Sequence, residues 1–244
     1  MSRTAVVTAG AGGIGLEIAR RLQHDGFDVV AMDVDLDAGA RSVAEGRRFL
    51  PCDFADEQAV RGAFAAVGAV HTLVNNVGIR GATGAVWDIP IGDFRQTLDV
   101  NTVSHVLAAQ QVIPGMRERG EGCIVQIASG AARTGAVGRA PYGLSKWALL
   151  GLTKSLANEL APWGIRANAV LPGIIKGERF EGSIALHAQE EGITREEALE
   201  RIMSRTRLKR FIEPAEIAAA VAYLVSDDAV GVTGAFLDVT GGFE

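Results

Sequence analysis

Thr8-Ala9-Gly10-Ala11-Gly12-Gly13-Ile14-Gly15 stands between the apolar run Ala5–Thr8 and a segment of helical period, Ile14–His24. A strand that turns through glycines into a helix gathers free backbone N–H groups at one spot, and glycine leaves room for a pyrophosphate to approach them. The pattern alone is weak, because a tight strand-to-helix turn also asks for glycine. Here a second β-branched run, Asp28–Asp33, follows and ends in an acid. Strand, glycine loop, helix, strand and acid in that order are the context of a dinucleotide fingerprint. Asp33 in that place accepts hydrogen bonds from the adenosine ribose and repels a 2′-phosphate, which favours NAD over NADP. Neither Arg nor Lys stands in the loop or directly after Asp33, and Arg41 is the basic residue that follows next. Asp33 as a helix cap or surface acid is the plainer alternative.

Working outward, short apolar runs alternate with segments of helical period, the mark of βαβ units in a parallel sheet. The spacing predicts strands at Ala5–Thr8, Asp28–Asp33, Arg48–Cys52, Thr72–Asn75, Gly122–Ala128, Arg166–Leu171 and Ala235–Val239. Helices are predicted at Ile14–His24, Ala38–Glu45, Glu57–Val67, Phe94–Arg117, Tyr142–Ala161 and Pro214–Leu224. The fold class is therefore α/β, a Rossmann-like doubly wound sheet of seven parallel strands with helices on both faces. Residues 1–244 read as a single domain. Roughly 40 residues, about 173–213, interrupt the alternation, a length that marks a functional lid or disorder. Thr194 and Glu197 form a capping box there, ahead of Ala198, Leu199, Ile202 and Met203 on one helical face, so a helical lid is expected. Glu197 four residues before Arg201 predicts an ion pair. Leu144, Trp147, Ala148, Leu149, Leu150, Leu152, Leu156 and Leu160 cover more than one face of the Tyr142–Ala161 helix. Periodicity does not separate a deeply buried helix from one that meets a second subunit.

Composition excludes other classes. Of 244 residues 48% are hydrophobic, with 30 Gly, 7 Pro and 2 Cys, which fits a globular chain with a large core and no disulfide framework. Cys52 and Cys123 sit in apolar runs and read as buried free thiols, consistent with a reducing, cytoplasmic compartment. Met1–Thr4 does not read as a secretory leader, and no run of about 18 apolar residues reads as a membrane span. A net charge of −5 and 6% aromatics leave little to neutralise phosphates or stack bases, so nucleic acid is not an expected partner. His24, His71, His105 and His187 lack metal-ligand spacing, and no metal is expected. A Gly-x-Ser-x-Gly hydrolase elbow is absent.

Tyr142 and Lys146 are four residues apart and share one helix face. That pair is common by chance, but Ser129 lies 13 residues earlier, just past the fifth strand, where parallel sheets present ligand-contacting groups. With these residues in view, the whole chain resembles the short-chain dehydrogenase/reductase family. The resemblance implies a catalytic tetrad of Asn101, Ser129, Tyr142 and Lys146. It implies a cofactor site of Gly10, Gly12, Gly13, Ile14, Gly15, Asp33, Asp53, Phe54, Asn75, Val77, Gly78, Pro172, Gly173 and Ile175, joined by Tyr142 and Lys146. The turn Asn75-Asn76-x-Gly78, the pair Pro172-Gly173 and the pair Thr233-Gly234 match further family motifs. Two positions depart from the pattern: Ala9 stands where the family has Gly after the motif Thr, and Gly177 where it often has a Thr toward the nicotinamide carboxamide.

The resemblance implies hydride transfer between a secondary alcohol or ketone and NAD. An unperturbed phenol titrates near 10, so a tyrosine that moves a proton at neutral pH needs a cation close by, and Lys146 is on the right face. Ser129 would hold the substrate oxygen and Asn101 a water in the proton path, while Lys146 also holds the nicotinamide ribose. An NADP-dependent carbonyl reductase is the alternative within this class, and a nucleotide-binding redox sensor the alternative outside it. The substrate pocket is expected from Arg80–Val86, Gly130–Ala140 and Ile174–His187. Arg80, Arg133, Arg139 and Arg179 there suit an anionic or polyhydroxylated substrate; Val86, Trp87, Val137, Ile174 and Phe180 suit an aryl or alkyl ketone, and a medium-sized, partly apolar alcohol is favoured. A homotetramer is the assembly the resemblance implies.

Overall fold

In a computed structural model, residues 3–175, 184, 188 and 191–242 are described. Among them seven strands, β1 (Thr4–Thr8), β2 (Asp28–Asp33), β3 (Arg48–Pro51), β4 (Thr72–Asn75), β5 (Gly122–Ile127), β6 (Ile165–Pro172) and β7 (Phe236–Val239), form one sheet. Its order is β3-β2-β1-β4-β5-β6-β7 and every pairing is parallel. The order reverses between β1 and β4, the switch point at which such sheets bind ligands beyond their carboxyl ends.

Alternation along the strands divides the core. Val6, Val30, Leu73 and Ile124 face one layer, α3 (Glu57–Ala65), α5 (Ser104–Arg119) and α7 (Ala140–Leu160). Ala5, Val7, Val29 and Val125 face the other, α1 (Gly13–His24) and α9 (Pro214–Val225). Ile18, Leu22, Ile217 and Val221 close that second layer. Full burial of such side chains contributes roughly 1.5–3 kcal/mol each. Continuous apolar strands buried on both faces are what made the sheet readable from composition.

The predicted helix at Phe94–Arg117 has a different internal structure. It comprises α4 (Ile91–Leu98), a π turn at Asp99–Val103 and α5, joined end to end. A short helix, α6 (Ala131–Thr134), follows Ser129 and was not foreseen. α2 (Leu36–Ala44) begins two residues earlier than expected, because Asp35 caps it through Ala38 N.

In the region of the expected lid, α8 (Arg195–Ser204) carries the predicted capping box, with Thr194 and Glu197 bonded reciprocally. Glu197 is thereby turned back toward its own helix start, and Arg201 donates instead to Glu191 at 2.6 Å. Gly177, Arg179, Phe180 and His187 lie outside the described residues. On α7 the core stripe is buried, while Leu144 and Trp147 stay about half exposed (52% and 49%). Both cysteines are free and buried, and burial pushes their thiols up, to about 12 for Cys52 and about 11 for Cys123.

Candidate active site

The glycine loop sorts its glycines by purpose. A Cβ on Gly10 would lie 2.6 Å from the Val7 carbonyl, and one on Gly15 would collide with the carbonyl of Ala9 and the side chain of Asn76. These two glycines allow the loop to fold back on β1. Gly12 is different: nothing approaches its missing Cβ within 4 Å, its backbone is extended, and as the N-cap of α1 it offers no side-chain cap. The first N–H groups of α1, from Gly13 and Ile14 onward, therefore meet an open cradle of the kind that accepts a phosphate. Ala9 adopts φ +49°, a left-handed conformation that costs an L-residue roughly 1–2 kcal/mol.

Asp33 ends β2 beside this cradle. Its carboxylate accepts from Ala11 N at 3.1 Å, Val34 N at 2.8 Å and Asp35 N at 3.2 Å, so the acid ties the glycine loop to the end of β2. Opposite it, Thr8 Oγ1 accepts the N–H groups of Asn76 (2.9 Å) and Val77 (3.0 Å), and Asn76 donates to the carbonyls of Thr8 and Ala9. The loop and the Asn75–Gly78 turn thus form one rigid edge. Asp53 is exposed beyond β3, accepting from Ala55 N. Phe54 is buried in the core, which leaves its backbone as the part that can face a ligand. Pro172 and Gly173 are held across the cleft: Gly130 N donates to the Pro172 carbonyl and Gly173 N to that of Val239. Ile175 bridges to Ile212. Open space at Gly12, the uncapped helix start and Asp33 fit a dinucleotide lying along this edge.

The four residues of the implied tetrad converge beyond it. Lys146, 4% exposed, donates from Nζ to the Ile127 carbonyl at 2.9 Å, pinning α7 to the strand end two residues before Ser129, and lies 5.9 Å from the Tyr142 ring centre. Ser129 accepts from Ala131 N at 3.1 Å. Its own hydroxyl proton remains to be donated. Tyr142 is partly exposed. Gly78 measures the convergence, since a Cβ there would sit 3.3 Å from both Asn101 Oδ1 and Lys146 Nζ.

Asn101 is fully buried in the π turn. Its Oδ1 accepts from Ile79 N (2.7 Å), and its Nδ2 donates to the Ile79 carbonyl and to Ser145 Oγ, each at 3.0 Å. Both amide hydrogens are used within the protein, so any water it holds must meet another of its atoms. Ser145 in turn donates to the Tyr142 carbonyl at 2.8 Å. Sequence reasoning passed over Ser145, although its place between Tyr142 and Lys146 was visible. His105, weighed in the sequence only for metal-ligand spacing, is completely buried between the Val77 carbonyl (2.9 Å) and Gln126 (2.7 Å). Burial, then the Lys146 charge, pushes His105 down to about 4, so the ring is neutral at pH 7.

Of the arginines predicted around the pocket, Arg133 is committed elsewhere, paired with Asp238 at 3.1 Å and stacked 5.3 Å from the Phe236 ring. Arg139 lies over the Tyr142 ring at 5.2 Å. Val86, Trp87 and Val137 are exposed.

Comparison with known proteins follows the same outline. The family described as enoyl-(acyl carrier protein) reductase matches residues 9–244. The human dehydrogenase/reductase SDR family member 4 (Homo sapiens) is 36% identical, over 99% of this chain and 87% of that protein. Among solved structures, an actinorhodin polyketide ketoreductase variant with NADPH superposes with a TM-score of 0.93 at 35% identity, covering 99% of this chain and 97% of the other. An NAD+-bound xylitol dehydrogenase superposes at 0.91 with 30% identity, covering 98% of each chain.

Proposed function

Because this chain belongs to the short-chain dehydrogenase/reductase family and shares the oxidoreductase character of its relatives, we propose that it interconverts a secondary alcohol and a ketone with NAD, using Tyr142 as general acid and base. The observation that carries the reading is the buried Lys146, which joins the Tyr142 helix to the strand end bearing Ser129. Gly10, Gly12, Gly13, Ile14 and Gly15 would hold the pyrophosphate, Asp33 the adenosine ribose, and Asp53 with the Phe54 backbone the adenine. Asn75, Val77, Gly78, Pro172, Gly173 and Ile175 would flank the nicotinamide half. Bound there, the nicotinamide would accept a hydride from the alcohol carbon or supply one to the ketone carbon.

The chain's own residues handle the proton. In the oxidative direction the Tyr142 phenolate oxygen takes the hydroxyl proton of the alcohol, and in reduction the phenol returns it to the ketone oxygen. The Lys146 ammonium, 5.9 Å from the Tyr142 ring centre, is the cation that faces this proton transfer. The Ser129 hydroxyl donates to the substrate oxygen as charge develops there. Asn101 acts from behind, fixing Ser145 and the turn at Ile79.

Asp33 supports NAD rather than NADP, by charge against a 2′-phosphate. Steady-state kinetics with each cofactor and a panel of secondary alcohols and ketones tests this: kcat/KM is expected to favour NAD, and a strong preference for NADP would overturn the cofactor assignment. We further assign residues 1–244 to one catalytic domain, with the 173–213 region as its lid, in a cytoplasmic homotetramer. The exposed Leu144 and Trp147 on α7 support a subunit contact, and light scattering at micromolar concentration tests it. A stable monomer would refute the assembly.

A further inference from the structure

Two neighbouring guanidinium groups, Arg139 over the Tyr142 ring and Arg80 within electrostatic reach of Arg139, have no carboxylate partner among the described residues. Arg139 precedes α7 by one residue, is partly buried and lies 5.2 Å over the Tyr142 ring. Arg80 follows Ile79, the residue clasped by Asn101, and its Nε is buried with no hydrogen-bond partner. The two loops are joined, since Gly84 N donates to the Gly138 carbonyl at 2.9 Å. Among the described residues no acid forms an ion pair with either arginine, whereas Arg133 on the neighbouring helix has Asp238. A buried charged donor left unmatched is costly, by more than a neutral group would be. Burial holds Arg139 below the usual guanidinium range, and the charge of Arg80 adds to that effect. Arg80 adjoins Ile79, which Asn101 links to Ser145 of α7, and Arg139 adjoins the start of α7, whereas Asp33 is tied to the glycine loop.

We propose that Arg139 and Arg80 form an oxyanion subsite, and that the substrate is a short-chain ketone or secondary alcohol bearing a carboxylate, sulfonate or phosphate group. The inference rests on Tyr142 as the reacting centre, because that places the anion within a short chain of the carbinol carbon. Guanidinium forks match planar and tetrahedral oxyanions with paired N–H donors, and such charge-assisted bonds are the strong ones. Exposed Trp87 and Val137 at the rim leave the remainder of the substrate an apolar flank.

The experiment has two parts. First, NADH-linked reduction of acetoacetate, levulinate, 2-oxopropanesulfonate and acetonyl phosphate is compared with reduction of methyl acetoacetate, methyl levulinate and 2-pentanone. At least one anion is expected to exceed its neutral counterparts about 10- to 100-fold in kcat/KM. The arms tell carboxylate, sulfonate and phosphate apart. Arg139→Gln and Arg80→Gln should raise KM for the preferred anion by a similar factor with little change in kcat, leave the neutral ketones within about twofold, and Arg139→Lys should recover part of the loss. Second, malonate binding to the purified chain is measured by calorimetry and is expected to vanish in the double Gln variant. Equal kcat/KM for anions and neutral ketones, or a uniform loss on all substrates in Arg139→Gln, overturns the subsite and leaves Arg139 a support for the Tyr142 ring. Absence of any nicotinamide-linked turnover, with malonate still bound through the two arginines, instead removes the redox reading and retains the subsite.

Discussion

Asn101 clasps Ile79 by both of its backbone groups, its Oδ1 2.7 Å from the Ile79 nitrogen and its Nδ2 3.0 Å from the Ile79 carbonyl. A side-chain amide imitates a peptide group here, in the one π turn among the described residues. Such single-turn π segments are common at functional sites. Asn101→Ala leaves both partly buried backbone groups of Ile79 without their partner and removes the bond that Ser145 Oγ accepts, while Ser145 still donates to the Tyr142 carbonyl. It is expected to cost about 2–4 kcal/mol in urea unfolding and to lower kcat, since the link from the Ile79 turn to Ser145 on the Tyr142 helix is then lost.

Ala9 occupies the left-handed region at φ +49°, which glycine adopts without strain. Ala9→Gly removes the strain of the Cβ and is expected to stabilise the fold by about 1 kcal/mol, even after the added entropy of the unfolded chain is subtracted. The shift in urea midpoint at constant slope measures it. A destabilised variant would show that the loop is shaped by something other than the Ala9 backbone.

Gly12 and Gly15 are predicted to fail in opposite ways when replaced by alanine. Gly15→Ala drives a Cβ into the Ala9 carbonyl and should unfold the loop, with a loss of stability of about 3 kcal/mol or more. Gly12→Ala meets nothing in the protein, so its thermal midpoint should stay within about 2 °C while the Kd for NAD rises about tenfold or more. Calorimetric binding alongside thermal unfolding separates the two effects.

His105 sets an acid limit on stability. Its folded pKa, about 4, lies below the ordinary value of 6.5, so the unfolded chain binds the proton first as pH falls. Stability is therefore full above pH 6.5 and declines between 6.5 and about 4, by about 3 kcal/mol from this group. His71, also held below its ordinary value, mainly by burial, adds in the same direction. Glu45 and Glu216, lowered to about 2 chiefly by Arg20 and Arg210, act only below about 4.5. Urea unfolding from pH 7.5 to 4.5 should show the decline in the wild type and a flatter profile in His105→Gln.

Much of this architecture was legible because its signals are local. Strands buried on both faces read as unbroken apolar runs, and the Thr194–Glu197 capping box depends on spacing alone. What escaped depends on tertiary contact. A π turn has nearly the same sequence period as an α-helix, and only the bond from Asn101 to Ile79 reveals its use. Arg201 was assigned to Glu197 by spacing, but Glu197 satisfies the N–H of Thr194, and Glu191 takes Arg201. Asp33 was read as a ribose ligand; in the structure its carboxylate accepts from Ala11, Val34 and Asp35, bonds that spacing alone does not reveal. The four arginines near the pocket looked equivalent in sequence. Folding gave Arg133 an acid and left Arg80 and Arg139 without one.

Tyr142→Phe tests the central claim most directly, since it removes one oxygen from the cleft. Single-turnover and steady-state rates should fall by about 10²–10⁴-fold, with the Kd for NAD within about threefold of the wild type and an unchanged urea midpoint. A variant that binds NAD normally and still oxidises the alcohol at the wild-type rate would contradict the assignment of Tyr142 as the proton-transferring group.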